Sequence, residues 1–599
     1  MRQDLSGRVD SGAVSEQGSL PAVLARSVER QGAKPALGHK VGERWVEISY
    51  EKLYERVRSF AAGLAALGVG RGDAVALMSE NRPEWPICDF AVQSLGAMTV
   101  PIYPTLEAGQ VAHIIEDSGV KVAVVESENL LGRVESVREK TPELGSVVVM
   151  DHEGEGLSFE EVERDGESGP LEGWEEGWRA IGREDVATII YTSGTTGLPK
   201  GVMLTQGNLI SNLEGILDAL PAREDDIMLS LLPLSHVFER TAGHYLGLGG
   251  GGTIYYAESI DKVPENLREI RPNVTISVPR LYEKMYDKVL RGVTEGGGVK
   301  KKMFEDAVKC GKRAYEIERD GGTVGGLLKL RLKLYDRLIF AKLREAVGGR
   351  LDYFVSGGAK LNPEIGKLFY AAGVKIVEGY GLTETSPVIA CNRLDRIRFG
   401  TVGPPLHNLE VKIDETGEVL VKGPSVMRGY LNNEKANAEA FTGDGFYRTG
   451  DVGEFDEAGY LKITDRAKNL MVLSTGKNVA PQPVETALTA APHITQAVLV
   501  GDGRKYVSAL VVPDYDAVRR TLGVEDANEK LAEDERVRSL IETDSETATA
   551  GFASYERPKR FVLLARELSQ EHGELTPTLK VKMSAVRERY GEQVESLYA

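Results

Sequence analysis

The chain has 599 residues, 42% of them apolar and 27% charged, which is the balance of a soluble globular protein too long for one ordinary domain. Its net charge of −17, from 73 Lys and Arg against 90 Asp and Glu, excludes a general nucleic-acid binder, while a local anion site built from backbone N–H groups stays open. Three scattered cysteines (Cys88, Cys310, Cys391) form no C-x-x-C pair, which argues against a zinc site or a disulfide framework and fits a reducing cytoplasm.

The opening MRQDLSGRVDSG carries acids and no apolar core, so it does not read as a secretory signal, and residues 1 to about 18 are expected to fray. No apolar run approaches the roughly 20 residues of a bilayer span. Tyr50 to Leu67 has helical spacing, Asp73-Ala-Val-Ala-Leu-Met reads as a buried strand, a helix covers about Pro86 to Leu95, and Lys121-Val-Ala-Val-Val is a further strand. This alternation predicts an α/β domain with largely parallel sheets. Residues 152 to 184, acidic and glycine-rich with Trp174 and Trp178, read as a surface excursion. Residues 283 to 349 form a helical insertion rich in Lys and Arg, and residues 400 to 464 a β-rich subdomain (Leu409-Glu-Val-Lys-Ile, Gly417-Glu-Val-Leu-Val). After Asp465 the pattern is that of a compact α+β unit. No internal repeat is visible.

The sharpest feature is Tyr191-Thr-Ser-Gly-Thr-Thr-Gly-Leu-Pro-Lys-Gly201, entered from the strand Val186-Ala-Thr-Ile-Ile-Tyr. Its glycines let backbone N–H groups approach a phosphate, its hydroxyls add donors, and Lys200 adds a mobile charge. It is not a Walker A loop, because Pro199 precedes the lysine and Gly201 follows it. Two more strand-to-glycine turns follow, Ser356-Gly-Gly-Ala359 and Glu378-Gly-Tyr-Gly-Leu-Thr-Glu-Thr385, and then Tyr447-Arg-Thr-Gly-Asp451, Asp465-Arg-Ala-Lys-Asn-Leu470 and Leu575-Thr-Pro-Thr-Leu-Lys-Val-Lys582.

Taken in order, these stretches resemble the motifs of the adenylate-forming superfamily, which includes acyl-CoA synthetases, firefly luciferase and nonribosomal-peptide adenylation domains. The likeness covers nearly the whole chain from about residue 20. It implies a large N-terminal α/β domain of stacked subdomains (1–464, with the β-rich part at about 400–464), a hinge at 465–470 turning on Asp465, and a small mobile C-terminal α+β domain (471–599). It implies an ATP phosphate loop of Thr192, Ser193, Gly194, Thr195, Thr196, Gly197 and Lys200. Gly357, Gly358 and Ala359 would line the adenine and acyl pockets, and Glu378, Gly379, Tyr380 and Gly381 would border the nucleotide, with Tyr380 stacked on adenine. Thr383 would bond the α-phosphate and Glu384 would ligate Mg²⁺, with Thr192 a second candidate metal ligand. Asp451 would accept the ribose hydroxyls, and Arg466 would reach ribose or phosphate. Lys580 would neutralise charge on the acyl carboxylate and α-phosphate, with Lys582 a near neighbour that competes for the role. Many relatives have a glycine before this lysine, where this chain has Leu579.

His236, in Leu232-Pro-Leu-Ser-His-Val-Phe-Glu-Arg240, resembles the family's position beside the acyl carboxylate. The Ser474-Thr475-Gly476 loop would face CoA after the C-terminal domain rotates. It departs from the Ser-Gly-Gly-Glu-Asn common in relatives, which leaves its CoA contacts open. The Phe-Glu-Arg and Thr-Leu-Lys strings resemble long-chain fatty acyl-CoA synthetases, which use ATP, Mg²⁺ and coenzyme A and form a carbon–sulfur bond. A carrier protein as acceptor, a nucleotide-binding regulator without turnover, and aryl or short-chain acids stay as alternatives. Oligomeric state is not legible. The basic stretch at about 327–346, with Leu330, Leu334, Leu338 and Ala341 on one helical face, reads either as a helix packed on its own domain or as one lying on anionic lipid at the inner face of a membrane.

Overall fold

The computed structural model describes residues 9–152, 157–192, 198–295, 297–466, 471–475, 477–569, 571–575 and 581–598. The chain divides into two units. Unit 1 comprises Met1–Lys412, Leu420–Arg448 and Glu457–Leu461, and unit 2 comprises Ile413–Val419, Thr449–Asp456 and Lys462–Ala599. The expected α/β class is present, with mainly parallel sheets in unit 1 and a smaller α+β assembly toward the C-terminus.

Unit 1 holds two eight-stranded sheets. The first runs edge to edge through Gly429–Tyr430, Lys200–Thr205, Val186–Thr192, Met98–Pro101, Ala74–Met78, Val120–Ser127, Ser146–Asp151 and Leu157–Ser158. The second runs through Val388–Cys391, Lys375–Gly381, Tyr353–Ser356, Val274–Ser277, Ile227–Ser230, Thr253–Tyr256, Pro35–Val41 and Arg44–Ser49. The inner pairings are parallel and antiparallel strands lie at the margins. Helices cover such sheets on both faces, which is why Ala74–Met78 is apolar and buried at every position instead of alternating. The strands Glu410–Ile413, Glu418–Lys422 and Tyr447–Phe455, and the start of Leu461–Arg466, lie in the stretch expected to be β-rich. In unit 2 a three-stranded sheet (Ile494–Val500, Ser508–Pro513, Phe561–Leu563) packs with helices that include Pro481–Thr489, Glu535–Ala548 and Met583–Ser596. No helix among the described residues is long and apolar enough to cross a membrane.

Two sequence expectations are corrected. The stretch at 152–184 is not a surface excursion, since helices Phe159–Ser168 and Trp174–Arg179 bury Phe159, Trp174 and Trp178. Phe159 stacks on Phe60 at 4.0 Å between ring centroids, and a Cβ on Gly166 would sit 1.9 Å from the Ser59 carbonyl oxygen. The glycines that suggested a loop instead permit close helix packing. At the N-terminus, residues 9–18 are packed: Val14 is buried in helix Ser11–Ser15, and the Val9 N–H donates to the Ala222 carbonyl at 2.9 Å.

The two large sheets are joined through a buried ion pair. Asp89, on helix Glu84–Ser94, and Arg240, on the π-helical turn Glu239–Tyr245, are 0% and 1% exposed, and the Arg240 guanidinium donates to both Asp89 oxygens. Asp89 also accepts from Tyr245 Oη (2.6 Å), Thr99 Oγ1 (2.7 Å) and Gln93 Nε2 (3.0 Å), and Arg240 donates to Thr188 Oγ1 at 2.8 Å. The arginine thus ties the second sheet's crossover to two strands of the first. Removing one partner leaves an uncompensated buried charge. Asp89→Ala is expected to destabilise unit 1 by about 3–5 kcal/mol, with the double variant Asp89→Leu/Arg240→Met recovering most of that loss. Calorimetric melting of the two variants beside the parent checks this.

Candidate active site

The hydroxyl- and glycine-rich loop sits at the tip of an antiparallel pair. Strands Val186–Thr192 and Lys200–Thr205 are in register, with Tyr191 opposite Gly201 and Thr192 opposite Lys200. Thr192 and Lys200 therefore face each other across the loop's base. Ser193, Gly194, Thr195, Thr196 and Gly197 lie outside the described residues. The base is braced by Tyr191, whose hydroxyl donates to Asp117 Oδ2 at 2.6 Å, and by His113, whose Nε2 lies 3.0 Å from the Pro199 carbonyl oxygen.

Lys200 and Glu384, from two separate motifs, meet through a residue that the sequence did not single out. Lys200 Nζ lies over the Tyr430 ring, 5.1 Å from its centroid. The Tyr430 hydroxyl donates to Glu384 Oε1 at 2.9 Å and lies 3.3 Å from the Tyr447 hydroxyl. Tyr430 forms the edge strand Gly429–Tyr430 and pairs with Val202, two residues beyond Lys200. Burial first, and then the Glu384 charge, push the Tyr430 hydroxyl above its usual range, so it remains a donor at neutral pH. Cation, aromatic face, phenol and carboxylate thus form one continuous string. Tyr430 follows Arg428 and Gly429 with no charge cluster or hydroxyl loop around it, and only the strand register identifies it.

Glu384 is carried on the short turn Thr383–Thr385 after strand Lys375–Gly381. Gly381 has no room for a side chain, since a Cβ there would lie 1.7 Å from the Pro387 carbonyl oxygen. The Thr385 hydroxyl donates to that same oxygen at 2.6 Å, and the Met427 N–H donates to the Glu384 carbonyl at 2.8 Å. The turn is fixed from both sides, and Thr383 and Glu384 are half-buried on it. Tyr380 pairs with Ala390 and is also half-buried. Gly379 is opposite Cys391 in the same ladder.

The third turn is Ser356–Ala359, reached from strand Tyr353–Ser356. Gly358 has a φ of +79°, and the Gly357 N–H donates to the Ser277 carbonyl at 3.2 Å. A Cβ on Gly357 would lie 2.7 Å from Phe238 Cζ, so the turn and the His236 segment are in close contact. Within that segment the Phe238 N–H donates to His236 Nδ1 at 3.1 Å, so a neutral ring carries its proton on Nε2. One residue past Phe238, Glu239 is buried, its carboxyl pushed up to about 8 by burial, and its Oε2 has no hydrogen-bond partner among the described residues.

The remaining candidates belong to unit 2. Asp451 is buried, and its N–H donates to Thr449 Oγ1 at 3.1 Å. Ser474 and Thr475 are exposed in a tight turn closed by the Leu473 N–H to the Lys477 carbonyl (2.9 Å). Asp465 and Arg466 end strand Leu461–Arg466. Gly476 and Lys580 lie outside the described residues, as do Lys468 and Asn469 of the expected linker.

Among the described residues no three His, Cys, Asp or Glu side chains cluster as a metal cage. One carboxylate at Glu384, half-buried beside a phosphate-loop base, fits Mg²⁺, which typically takes one or two carboxylates and completes its shell from phosphates and water.

The AMP-binding enzyme family matches residues 24–431, and the AMP-binding enzyme C-terminal domain matches residues 468–599. A long-chain-fatty-acid–CoA ligase of Mycobacterium bovis is 36% identical over 564 residues, covering 92% of each chain. A peroxisomal long chain acyl-CoA synthetase of Arabidopsis thaliana is 31% identical, with 98% of this chain and 87% of the relative covered. Among solved structures, the adenylation domain of a carboxylate reductase from Mycobacterium chelonae superposes with a TM-score of 0.76 at 25% identity, over 98% of this chain and 92% of that one.

Glu378 yields a pH prediction. It is buried, accepts from the Gly400 N–H at 3.3 Å, and burial pushes its carboxyl from 4.5 to about 8, with Lys360 opposing only weakly. A raised carboxyl is favoured protonated in the folded state, so its stabilising contribution is present below about pH 4.5 and is lost as pH rises toward 8. Glu378→Gln is expected to melt close to the parent near pH 5 and above it beyond pH 8. Parallel melting profiles across that range would contradict this.

Proposed function

Because the chain belongs to the AMP-binding enzyme family, we propose that it is an ATP-dependent long-chain fatty acid–CoA ligase working through an acyl-AMP intermediate. The observation that carries the reading is the Lys200–Tyr430–Glu384 string beside the phosphate-loop base. It provides a cation for phosphate oxygens and a hard oxygen ligand within one side chain's reach of each other. The relatives' names, at 30% identity or more over most of their length, support the acyl-CoA product and the long-chain substrate.

A fatty carboxylate is ionised at neutral pH, so no general base is required. Its oxygen forms a bond to the α-phosphorus of ATP, the α–β bridging bond breaks, and pyrophosphate leaves with the electron pair. The CoA thiolate then bonds the acyl carbon, and AMP leaves with the C–O electron pair. The obstacle in the first step is the approach of one anion to another, so the work is positioning and charge stabilisation. Lys200 and Lys580 supply positive charge, Thr383 and the loop hydroxyls donate to phosphate oxygens, and His236 donates from Nε2 toward the acyl carboxylate. Tyr380 stacks on adenine beside Gly357, Gly358, Ala359, Glu378 and Gly379, and Asp451 and Arg466 hold the ribose. Glu384 and Thr192 would hold Mg²⁺, which when bound neutralises phosphate oxygens. A hinge at Asp465 and a CoA-facing Ser474–Gly476 loop complete the proposal, and the gap between the two matched family segments supports the hinge.

The test is mass spectrometry of products from ATP, Mg²⁺ and a mixture of C4 to C20 acids, with and without CoA. Acyl-CoA with AMP, formed only when CoA is present and mainly from long acids, is the expected result. Acyl-AMP that accumulates despite CoA would instead indicate a carrier-protein acceptor.

Peripheral contact with the inner face of a membrane, by a cytoplasmic protein, is part of the same proposal. Leu327, Leu330, Leu334 and Leu338 are 73%, 66%, 56% and 44% exposed. The opposite face packs inward, with Tyr335, Ile339, Phe340 and Leu343 against Ala307 and Ala372. The segment packs on its own domain through that other face, and the leucine face left exposed supports the lipid-surface reading. Residues 326–344 hold six basic side chains and one acid, Asp336, in a chain of net charge −17. Lys329, Lys333, Arg337 and Lys342 have no carboxylate partner among the described residues, and each basic side chain adds about 1 kcal/mol near an anionic surface. Sedimentation with phosphatidylcholine vesicles should rise when phosphatidylglycerol is included, and Leu330→Glu/Leu334→Glu should abolish the rise. Equal sedimentation with and without anionic lipid would remove this contact.

A further inference from the structure

In unit 2 the described residues on either side of 576–580 are tied together. The Lys582 N–H donates to the Glu574 carbonyl at 2.8 Å, and Leu575 pairs with Val581 as an isolated antiparallel bridge. Leu575 is buried in a small core with Val586 and Tyr590 of the following helix, Met583–Ser596.

At this base lies a carboxylate of unusual cost. Glu574 is 0% exposed, whereas its arginine partners Arg566 and Arg589 are 39% and 43% exposed. Its Oε1 accepts from Arg566 Nη2 (2.6 Å), Tyr590 Oη (2.8 Å) and Arg589 Nη1 (3.0 Å). Its Oε2 accepts from Arg566 Nη1 (2.9 Å) and the Ser569 N–H (3.1 Å). Burial alone would raise this carboxyl, but Arg566, Tyr590, the Ser569 N–H and Arg589 outweigh it and hold the group at about 2, so the charge persists at neutral pH. An apolar side chain would close a merely packed loop base with less desolvation. A buried charge met by five directional donors fixes one geometry instead, and here it fixes the two chain ends that flank the lysine expected to act on the substrate.

We propose that Glu574 is a positioning residue for Lys580. It clamps the strand ends to helix Met583–Ser596 and to the 566–569 segment, so that the lysine's path starts from a rigid base. The proposal rests on the ligase reading and on the adenylation role given there to Lys580. A lysine that serves the anionic first half-reaction leaves the second, attack by thiolate on acyl-AMP, independent of it. A clamp acting through Lys580 must show the same asymmetry.

The experiment uses the full chain and measures two half-reactions separately. The first is hexadecanoate-dependent exchange between ATP and labelled pyrophosphate, and the second is thioester formation from preformed hexadecanoyl-AMP and CoA. Glu574→Gln keeps the volume and removes the charge, and Tyr590→Phe removes one donor while keeping the ring. Glu574→Gln should lower the kcat of exchange by about tenfold to a hundredfold, the scale of a misplacement of about 1 Å, with the KM for ATP unchanged. Tyr590→Phe should lower exchange less, and both should keep thioester formation within about twofold of the parent. An equal fall in both half-reactions would show damage to unit 2 as a whole and overturn the proposal, as would unchanged exchange in both variants. Lys580→Ala is the reference: if it abolishes exchange while Glu574→Gln leaves exchange at the parent rate, the clamp fails and the lysine's role stands. If Lys580→Ala leaves exchange intact, the lysine's role fails and takes the clamp with it.

Discussion

A guanidinium and a carboxylate, both withdrawn from water, set the frame in which unit 1 is built. The Asp89–Arg240 pair is tolerable in an apolar interior only because every strong donor and acceptor in it is met by Thr99, Thr188, Gln93 and Tyr245, with the Trp85 and Tyr245 rings about 5 Å from the guanidinium. Those partners come from a helix, two strands of one sheet and the crossover of the other. The π-helical turn can therefore sit in one place. Four residues upstream, the His236 carbonyl accepts from the Arg240 N–H at 3.1 Å, and Phe238 occupies the space that Gly357 leaves empty. The frame thus reaches the candidate site through backbone and packing, without any of its own charges entering it. π-helical turns are rare and often mark functional positions, and this one carries the buried acid Glu239 at its start.

The candidate site follows a different electrostatic logic. It contains no dense metal cage among the described residues. Lys200 is held against an aromatic face instead of a carboxylate, so its charge is oriented without being neutralised. Glu384 is held by a phenol instead of a cation, so it too keeps its charge for a ligand. Tyr430 keeps the opposite charges apart while fixing both, which suits a site that must present a cation to phosphate oxygens and an oxygen ligand to a metal ion.

Much of this was legible because parallel sheets write themselves as uninterrupted apolar runs. Ala74–Met78, Val120–Ser127 and Val186–Thr192 are recognisable for that reason, and the glycine turns after Ser356 and Glu378 stand out because strands feed straight into them. The errors also have a common cause. Gly166 looks like a loop residue, yet with Gly63 on the facing helix it lets two helices approach, and reading it as a loop turned a buried helical segment into an expected excursion. Tyr430 and Asp89 escaped notice because their cationic partners, Lys200 and Arg240, lie more than a hundred residues away, and Glu574 because Arg566, Arg589 and Tyr590 converge on it only once the chain has turned back on itself. A carboxylate that will be buried by a distant arginine looks, in sequence, like any surface acid. The leucine face at 327–338 was ambiguous for the converse reason, since periodicity reveals that a stripe exists and not whether anything covers it.

The division of the chain between its units has a consequence for biosynthesis. Residues 413–419 of unit 2 emerge from the ribosome before residues 420–448 and 457–461 of unit 1. Neither unit can close until the chain has passed residue 461, which takes roughly 20 to 90 s at about 5–20 residues per second. The first eight-stranded sheet likewise waits for its edge strand at Gly429–Tyr430, synthesised long after the strand it pairs with. For that interval Lys200–Thr205 is an unpaired sheet edge on a nascent chain, the kind of surface on which chaperones act and on which two neighbouring chains of one polysome can pair by mistake.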